Sequence, residues 1–356
     1  MKVCILGGGL ISLTLAKTLV NQGIYVDFIL NQKVKNQNRT RTLGISKSNL
    51  EFFNKNILNI KKLTWHIKKI EVYSENLANE KILNFENNDQ QLFSIIKNYE
   101  LNDYLISELS KNNYFKFKKQ INDSALMKQD YKLIINCDHN NLITKKFFYK
   151  KINKNYNSYA HTTIIKHKKI NNKIALQIFT KKGPLAFLPI SNTETSVVYS
   201  ARGKKEINLI NIIKKHNTKY KISKIHKVSS FELKLSNLRH YHYENILAFG
   251  DLLHRLHPLA GQGFNMSIRD IKELMRLIKF KIDHGLDLDN SICLDFEKKI
   301  KHKNYLFSKG IDLIYEFFNL ESKINNNIFS KSVKFVAKNK ITNNFFKRFA
   351  DNGITI

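Results

Sequence analysis

The segment running from Gly250 through Asp251, His254, His257 and Pro258 to Gly261-Gln262-Gly263-Phe264-Asn265 constrains this chain more than any other. The apolar run Ile246 to Phe249 before it reads as a buried strand. Met266 to Asp283 after it is helix-periodic, with Ile268, Ile271, Leu274, Met275, Ile278 and Ile282 on one face and Gly285 as its C-cap. The segment is therefore a strand-to-helix crossing. Its glycines let backbone approach a ligand, and the free amides at a helix start offer donors and partial positive charge.

A second crossing stands at the N-terminus. Val3 to Leu6 is a short apolar strand, Gly7-Gly8-Gly9-Leu10-Ile11-Ser12 a glycine-rich turn, and Leu13 to Val20 a helix stopped by Gly23 before a strand at Tyr25 to Leu30. This order is what a dinucleotide-binding fingerprint requires, with the helix N-terminus facing a pyrophosphate. Ser12 occupies the place of the third glycine, and Asn31 the place of the acid that binds ribose hydroxyls. Asparagine still accepts a hydrogen bond, without the charge.

Together the two blocks resemble the ubiquinone-biosynthesis hydroxylase family of FAD-dependent aromatic monooxygenases, whose signature is GD-x-x-H-x-x-HP-x-AGQG-x-N. The resemblance covers most of the chain. Arg41-Thr42-Leu43-Gly44-Ile45-Ser46 is similar to that family's early arginine motif, and Gly183 to Pro189 with Ser196 to Ser200 to its substrate-domain strands. All three prolines fall in these family-like segments. The chain departs from the pattern at Asp138-His139, which keeps an acid and loses a glycine, at Tyr99, where the family places an arginine, and at Leu252-Leu253, which replace two small residues.

The resemblance implies an α/β fold of the para-hydroxybenzoate-hydroxylase type: a Rossmann-like FAD-binding domain, an inserted, mostly antiparallel β-sheet substrate domain, and C-terminal helices. Residues 1–60, 96–150 and 235–305 are expected to form the FAD-binding part, 61–95 and 151–234 the covering sheet, and 306–356 the helical end. It implies FAD as cofactor, NAD(P)H as reductant and a polyprenylated aromatic substrate. The expected FAD contacts are Gly7, Gly9, Leu10, Ser12, Asn31, Arg41, Asp138, Gly250, Asp251, Pro258, Gly261, Gln262, Gly263, Phe264 and Asn265. Phe187, Pro189, Tyr199 and Pro258 are the expected substrate pocket. No side chain is assigned to the oxygen transfer, because the flavin carries that chemistry. Two other classes fit the same residues: a weakly FAD-binding, non-catalytic subunit of a ubiquinone-biosynthesis complex, and a hydroxylase or flavin reductase for a soluble aromatic.

At 356 residues and 42% hydrophobic content the chain suits about two domains with a substantial core. No apolar run reaches membrane-spanning length, and Met1-Lys2 leads straight into the first strand, so no secretion signal is expected. The three cysteines, Cys4, Cys137 and Cys293, lack a Cys-x-x-Cys spacing and point to a reducing cytoplasm, with Cys4 and Cys137 filling apolar strands. Sixty Lys and Arg against 29 Asp and Glu give a formal charge of +31. Lysine, asparagine and isoleucine are spread through every segment, and no nucleic-acid module is visible, so nucleic acid is not an expected partner. His254 and His257 lack acidic or thiol companions, and no metal is expected. Helices are expected over Leu306 to Phe318 and Ile328 to Phe349. The stretch Ser330 to Arg348 mixes Val333, Phe335, Val336, Phe345 and Phe346 with basic residues, a pattern suited to an anionic bilayer. A cytoplasmic protein held peripherally on the inner face of the membrane is the expectation, with other biosynthetic proteins as further partners.

Overall fold

The computed structural model describes residues 1–30, 39–86, 91–118, 131–203, 206–256, 261–324, 328–337, 348–349 and 351–353. The chain opens with β1 (Lys2–Leu6), α1 (Leu10–Val20), β2 (Tyr25–Ile29), β3 (Thr42–Ser46) and α2 (Lys47–Asn56). There follow β4 (Thr64–Ile67), β5 (Lys69–Ser74), β6 (Glu80–Glu86), β7 (Phe93–Lys97), α3 (Asn98–Ser110), β8 (Phe115–Lys118), β9 (Leu133–Asn136) and α4 (Leu142–Phe147). The middle holds β10 (Lys151–His167), β11 (Ile174–Thr180), β12 (Gly183–Pro189), β13 (Glu194–Arg202), α5 (Leu209–His216), β14 (Ile222–Ile225) and β15 (Ser229–Leu238). The chain closes with β16 (His242–Tyr243), β17 (Ile246–Ala248), β18 (His254–Arg255), α6 (Gln262–Asp283), α7 (Ser291–Ile324) and α8 (Ile328–Ala337).

Six strands form one sheet in the order β16-β17-β9-β1-β2-β8, all pairs parallel except β16 with β17. Its central strands are buried along almost their whole length, as parallel strands covered on both faces must be. α1 packs against α3 and α6, and this core takes in Phe28, Phe53, Phe249 and Phe296. The strand order reverses between β1 and β9, so the ends of β1, β9 and β17 open onto the crevice where such sheets bind ligands. The expected α/β architecture with an inserted antiparallel sheet is borne out.

The second sheet has nine strands, β18-β15-β10-β13-β12-β11-β5-β6 with β14 beside β10, and a third joins β3, β7 and β4. β15 ends beyond residue 234, and β18 lies in this second sheet although its residues follow the return to the first. Trp65 to Tyr73, which reads as one strand, is two. At Lys68, whose amide bonds to the Lys173 carbonyl at 2.9 Å, the chain leaves the small sheet and joins the large one.

The C-terminal region also differs from its sequence pattern. No helix begins near Leu306. α7 runs unbroken from Ser291 to Ile324, because Asn304 is buried and donates to Asp270 at 2.9 Å instead of capping a new helix. Ile328 to Ala337 forms α8, and residues 338–347 lie outside the described ones.

Gly183 carries the β11–β12 hairpin. Its φ is +140°, and a Cβ there would lie 1.9 Å from the Ser200 carbonyl oxygen. Gly183→Ala is expected to cost about 3 kcal/mol or more through strain and backbone displacement. Chemical denaturation measures it.

Candidate cofactor and substrate site

A cavity of about 1810 Å³ lies between the two large sheets and the C-terminal helices. Two helix N-termini line one end of it. α1 starts after Gly9, which is extended and provides no side-chain cap, so the amides of its first turn are available. α6 starts after Gly261, at φ +63°, again with no side-chain cap. Gly7 needs its conformation, φ +111°, and a Cβ there would sit 3.1 Å from the Asp138 amide. At Gly263 a Cβ would meet nothing within 4 Å. Backbone therefore borders open space at that point.

The donor set at this end fits a polar, partly anionic cofactor. Ser12 is fully buried, its hydroxyl set beside the weakly bonding Cys137 thiol, and Gln262 is likewise buried with Oε1 unpaired. Orphaned polar atoms in a cavity wall are what a ligand's hydroxyls and ring heteroatoms satisfy. Asp251 is exposed at the start of a short helical turn, lines the cavity and makes no hydrogen bond among the described residues. It caps no helix. Leu10, Arg41, Asp138 and Phe264 line the same space. The Arg41 guanidinium lies 5.6 Å from the Phe231 ring centre. Asp138 is partly committed to its own turn, accepting from the Asn140 amide at 2.8 Å. Cys137 lines the cavity as well, and burial pushes its thiol up to about 12, so it stays protonated at neutral pH.

Asn265 and Gly250 belong behind the wall. Asn265 is fully buried: its Oδ1 accepts from the Ser46 amide at 2.9 Å and from Asn49 at 3.0 Å, and its Nδ2 donates to the Gly44 and Gly261 carbonyls. With its side chain consumed by protein, it fixes β3 against the start of α6 and has nothing left for a ligand. Gly250, at φ +62°, lets β17 turn where a Cβ would meet Ile11 at 3.1 Å. Asn31 and Pro258 lie outside the described residues.

The other end of the cavity is apolar, and here the strand parity differs from expectation. Ala186, Leu188, Val198 and Ser200 line it. Phe187 and Tyr199 are buried on the opposite face with Leu185, Leu209, Ile213 and Tyr220, under α5. Pro189 shares their side by alternation. The expected pocket residues are thus the neighbours, in sequence, of those that face the cavity. A further wall escaped the sequence reading: Phe307, Ile311, Ile314 and Phe318 of α7 close over Val72, Leu83 and Phe179 of the large sheet. Their spacing of four, three and four is a helical stripe, so the face was legible, but not what it covers.

Near the junction of the two ends, His254 is buried with Nε2 against the Asp270 carboxylate, which also accepts from Asn304. Among the described residues no group of three or more His, Cys, Asp or Glu could hold a metal ion.

Comparison with known proteins places this geometry. A family model described as an FAD binding domain matches residues 190–284, from β13 to the end of α6. The mitochondrial ubiquinone biosynthesis monooxygenase COQ6 of Schizosaccharomyces pombe is 23% identical over 302 residues, covering 70% of this chain and 62% of that protein. The human COQ6 is 26% identical over 233 residues, covering 52% and 50%. The chain thus spans less than two thirds of the length of these relatives. Among solved structures, p-nitrophenol 4-monooxygenase PnpA from Pseudomonas putida superposes with a TM-score of 0.75 at 11% identity, covering 99% and 98% of the two chains. PqsL, a probable FAD-dependent monooxygenase from Pseudomonas aeruginosa, gives 0.70 at 13%, covering 94% and 99%. The fold is of the para-hydroxybenzoate-hydroxylase-like class, and the segment that carries the α6 N-terminus matches an FAD binding domain. Over part of its length the chain is also similar to the ubiquinone-biosynthesis monooxygenases.

Proposed function

We propose that the protein is an FAD-dependent monooxygenase that hydroxylates the aromatic ring of a polyprenylated ubiquinone precursor, with NAD(P)H as reductant and O₂ as oxidant. One observation carries the reading: a single cavity joins a polar end, lined by two helix N-termini, to a long apolar chamber. FAD, when bound, supplies the redox chemistry and oxygen activation. Gly7, Gly9, Leu10 and Ser12 would hold its pyrophosphate side, Asp251 a sugar-like hydroxyl chain, and Gly261 to Phe264 its ring edge. Arg41 and Asp138 border the same end. The α6 N-terminus favours negative charge beside it.

The protein's own task is then orientation and water exclusion. Ala186, Leu188 and Val198 form a flat apolar wall for an aromatic ring, and the Phe307–Phe318 face of α7 offers room for an isoprenoid tail. This division of labour needs no titrating side chain at the ring. In the cell we place the protein in the cytoplasm at the inner face of the membrane, beside other enzymes of the same pathway. Expression in bacteria lacking individual ubiquinone-ring hydroxylases tests the activity. Restored quinone and loss of the accumulated precursor in one strain is the expected result, and that strain names the ring position. Soluble, FAD-loaded protein that restores none of them would overturn the proposal in favour of a soluble aromatic substrate or a non-catalytic subunit.

A further inference from the structure

A second cavity, of about 960 Å³, lies apart from the first, and no residue lines both. One wall is a face of α7, where Leu294, Lys298, Lys301, His302 and Tyr305 recur at helical spacing. The other is the chain from Asn237 to His242, which leaves β15 for β16 and so crosses from the large sheet back to the parallel one. The walls are tied together: Glu297 of α7 accepts from the Tyr241 amide at 2.8 Å. This cleft is built into the junction of the two sheets and needs no ligand to form.

Its charge is one-sided. Glu297 is the single acid in the lining, and Lys301 holds its carboxylate at 2.6 Å, with His242 Nε2 3.8 Å away. Arg239 and Lys298 are exposed and carry no ion pair among the described residues. Two cations are therefore uncompensated. Lysine spread through the whole chain accounts for a stray cation, but not for the imidazoles. Histidine is 12 of the 356 residues, yet His240, His242 and His302 are three of the thirteen in this lining. Guanidinium, ammonium and imidazole N–H groups all donate to oxyanions. Nδ1 of His242 is buried without a hydrogen-bond partner, a polar atom that the protein leaves unsatisfied. A metal is not the occupant these groups suit, since among the described residues no three His, Cys, Asp or Glu are grouped to hold one.

Charge and shape together select the ligand. A phosphomonoester carries a charge of about −2 and three strong acceptor oxygens, which matches two free cations set among N–H donors. Beside them Leu294 and Tyr305 are each 41% exposed, an apolar flank with an aromatic face on which a base can stack. We propose that this cleft binds a nucleoside phosphate, with the phosphate on Arg239, Lys298 and the histidines and the base against Tyr305 and Leu294. The site is separate from the flavin end and does not rest on the hydroxylase reading above.

Calorimetric titration of the full-length, FAD-saturated protein with AMP tests it, because saturating FAD closes the polar end of the larger cavity to the probe. Parent protein is expected to bind one AMP per chain, with inorganic phosphate weaker and adenosine weaker by about tenfold or more. Arg239→Ala with Lys298→Ala should weaken AMP binding by about tenfold or more. Tyr305→Ala should weaken AMP and leave inorganic phosphate unchanged. Lys61→Ala with Lys62→Ala, at exposed positions that line neither cavity, should alter neither. FAD affinity and melting temperature of each variant should match the parent's, which shows that the fold and the flavin end are intact. A parent that binds no AMP, or a cleft variant that binds it like the parent, overturns the proposal. Equal loss in the Lys61–Lys62 variant overturns it too, since the anion then follows net charge. So does AMP held no more tightly than inorganic phosphate, which would leave the base without a contact.

Discussion

Asp251→Ala weakens FAD binding by about ten- to a hundredfold and leaves the melting temperature of the FAD-free protein unchanged. The size follows from the loss of one charge-assisted hydrogen bond, about 1.5–3 kcal/mol. The independence of stability follows from geometry: the carboxylate is exposed at the cavity edge, caps no helix and makes no hydrogen bond among the described residues. Asp251→Asn, which keeps an acceptor without the charge, should fall between parent and alanine variant. FAD titration and melting of the apo-protein give the two readouts. Parent-like FAD affinity with a lowered melting temperature would make Asp251 a structural residue and remove the flavin from this edge.

Asn265→Ala behaves in the opposite way. It leaves the Ser46 amide, the Asn49 side-chain amide and the Gly44 carbonyl without their present partner in a region closed to water. Unpaired buried groups cost about 1–3 kcal/mol each, less whatever local relaxation recovers, so a loss near 3 kcal/mol is expected. FAD affinity falls only as a consequence, since β3 and the start of α6 are no longer held together. Denaturant titration of the apo-protein shows it directly. An apo-protein as stable as the parent, with FAD affinity alone reduced, would return Asn265 to the ligand set.

These two residues show what the sequence can disclose. Both stand in one motif, and chain order alone cannot say which faces the ligand. Turn glycines were legible because their conformations are ones other residues resist: Gly7 and Gly261 have positive φ and sit where backbone borders the cavity. The parallel core was legible because strands such as Leu133 to Asn136 are apolar throughout. Parity in β12 and β13 was not. Both faces of that sheet are covered, so Phe187 and Ala186, or Tyr199 and Val198, look equally suited to a pocket until α5 is seen to claim one side. Partition of the sheets at Lys68 and the unbroken course of α7 through Asn304 depend on partners far away in sequence, a carbonyl at Lys173 and a carboxylate at Asp270. Local pattern holds no trace of either.

The central claim is that one FAD occupies the polar end of the cavity, and equilibrium titration of the purified full-length protein with FAD tests it most directly. Saturable binding of one flavin per chain is expected, with the absorption bands of a bound flavin. Melting should rise as well, since ligand at a hundred times its dissociation constant stabilises the folded state by about 2.7 kcal/mol. Saturating FAD that neither binds nor raises the melting temperature would contradict the account.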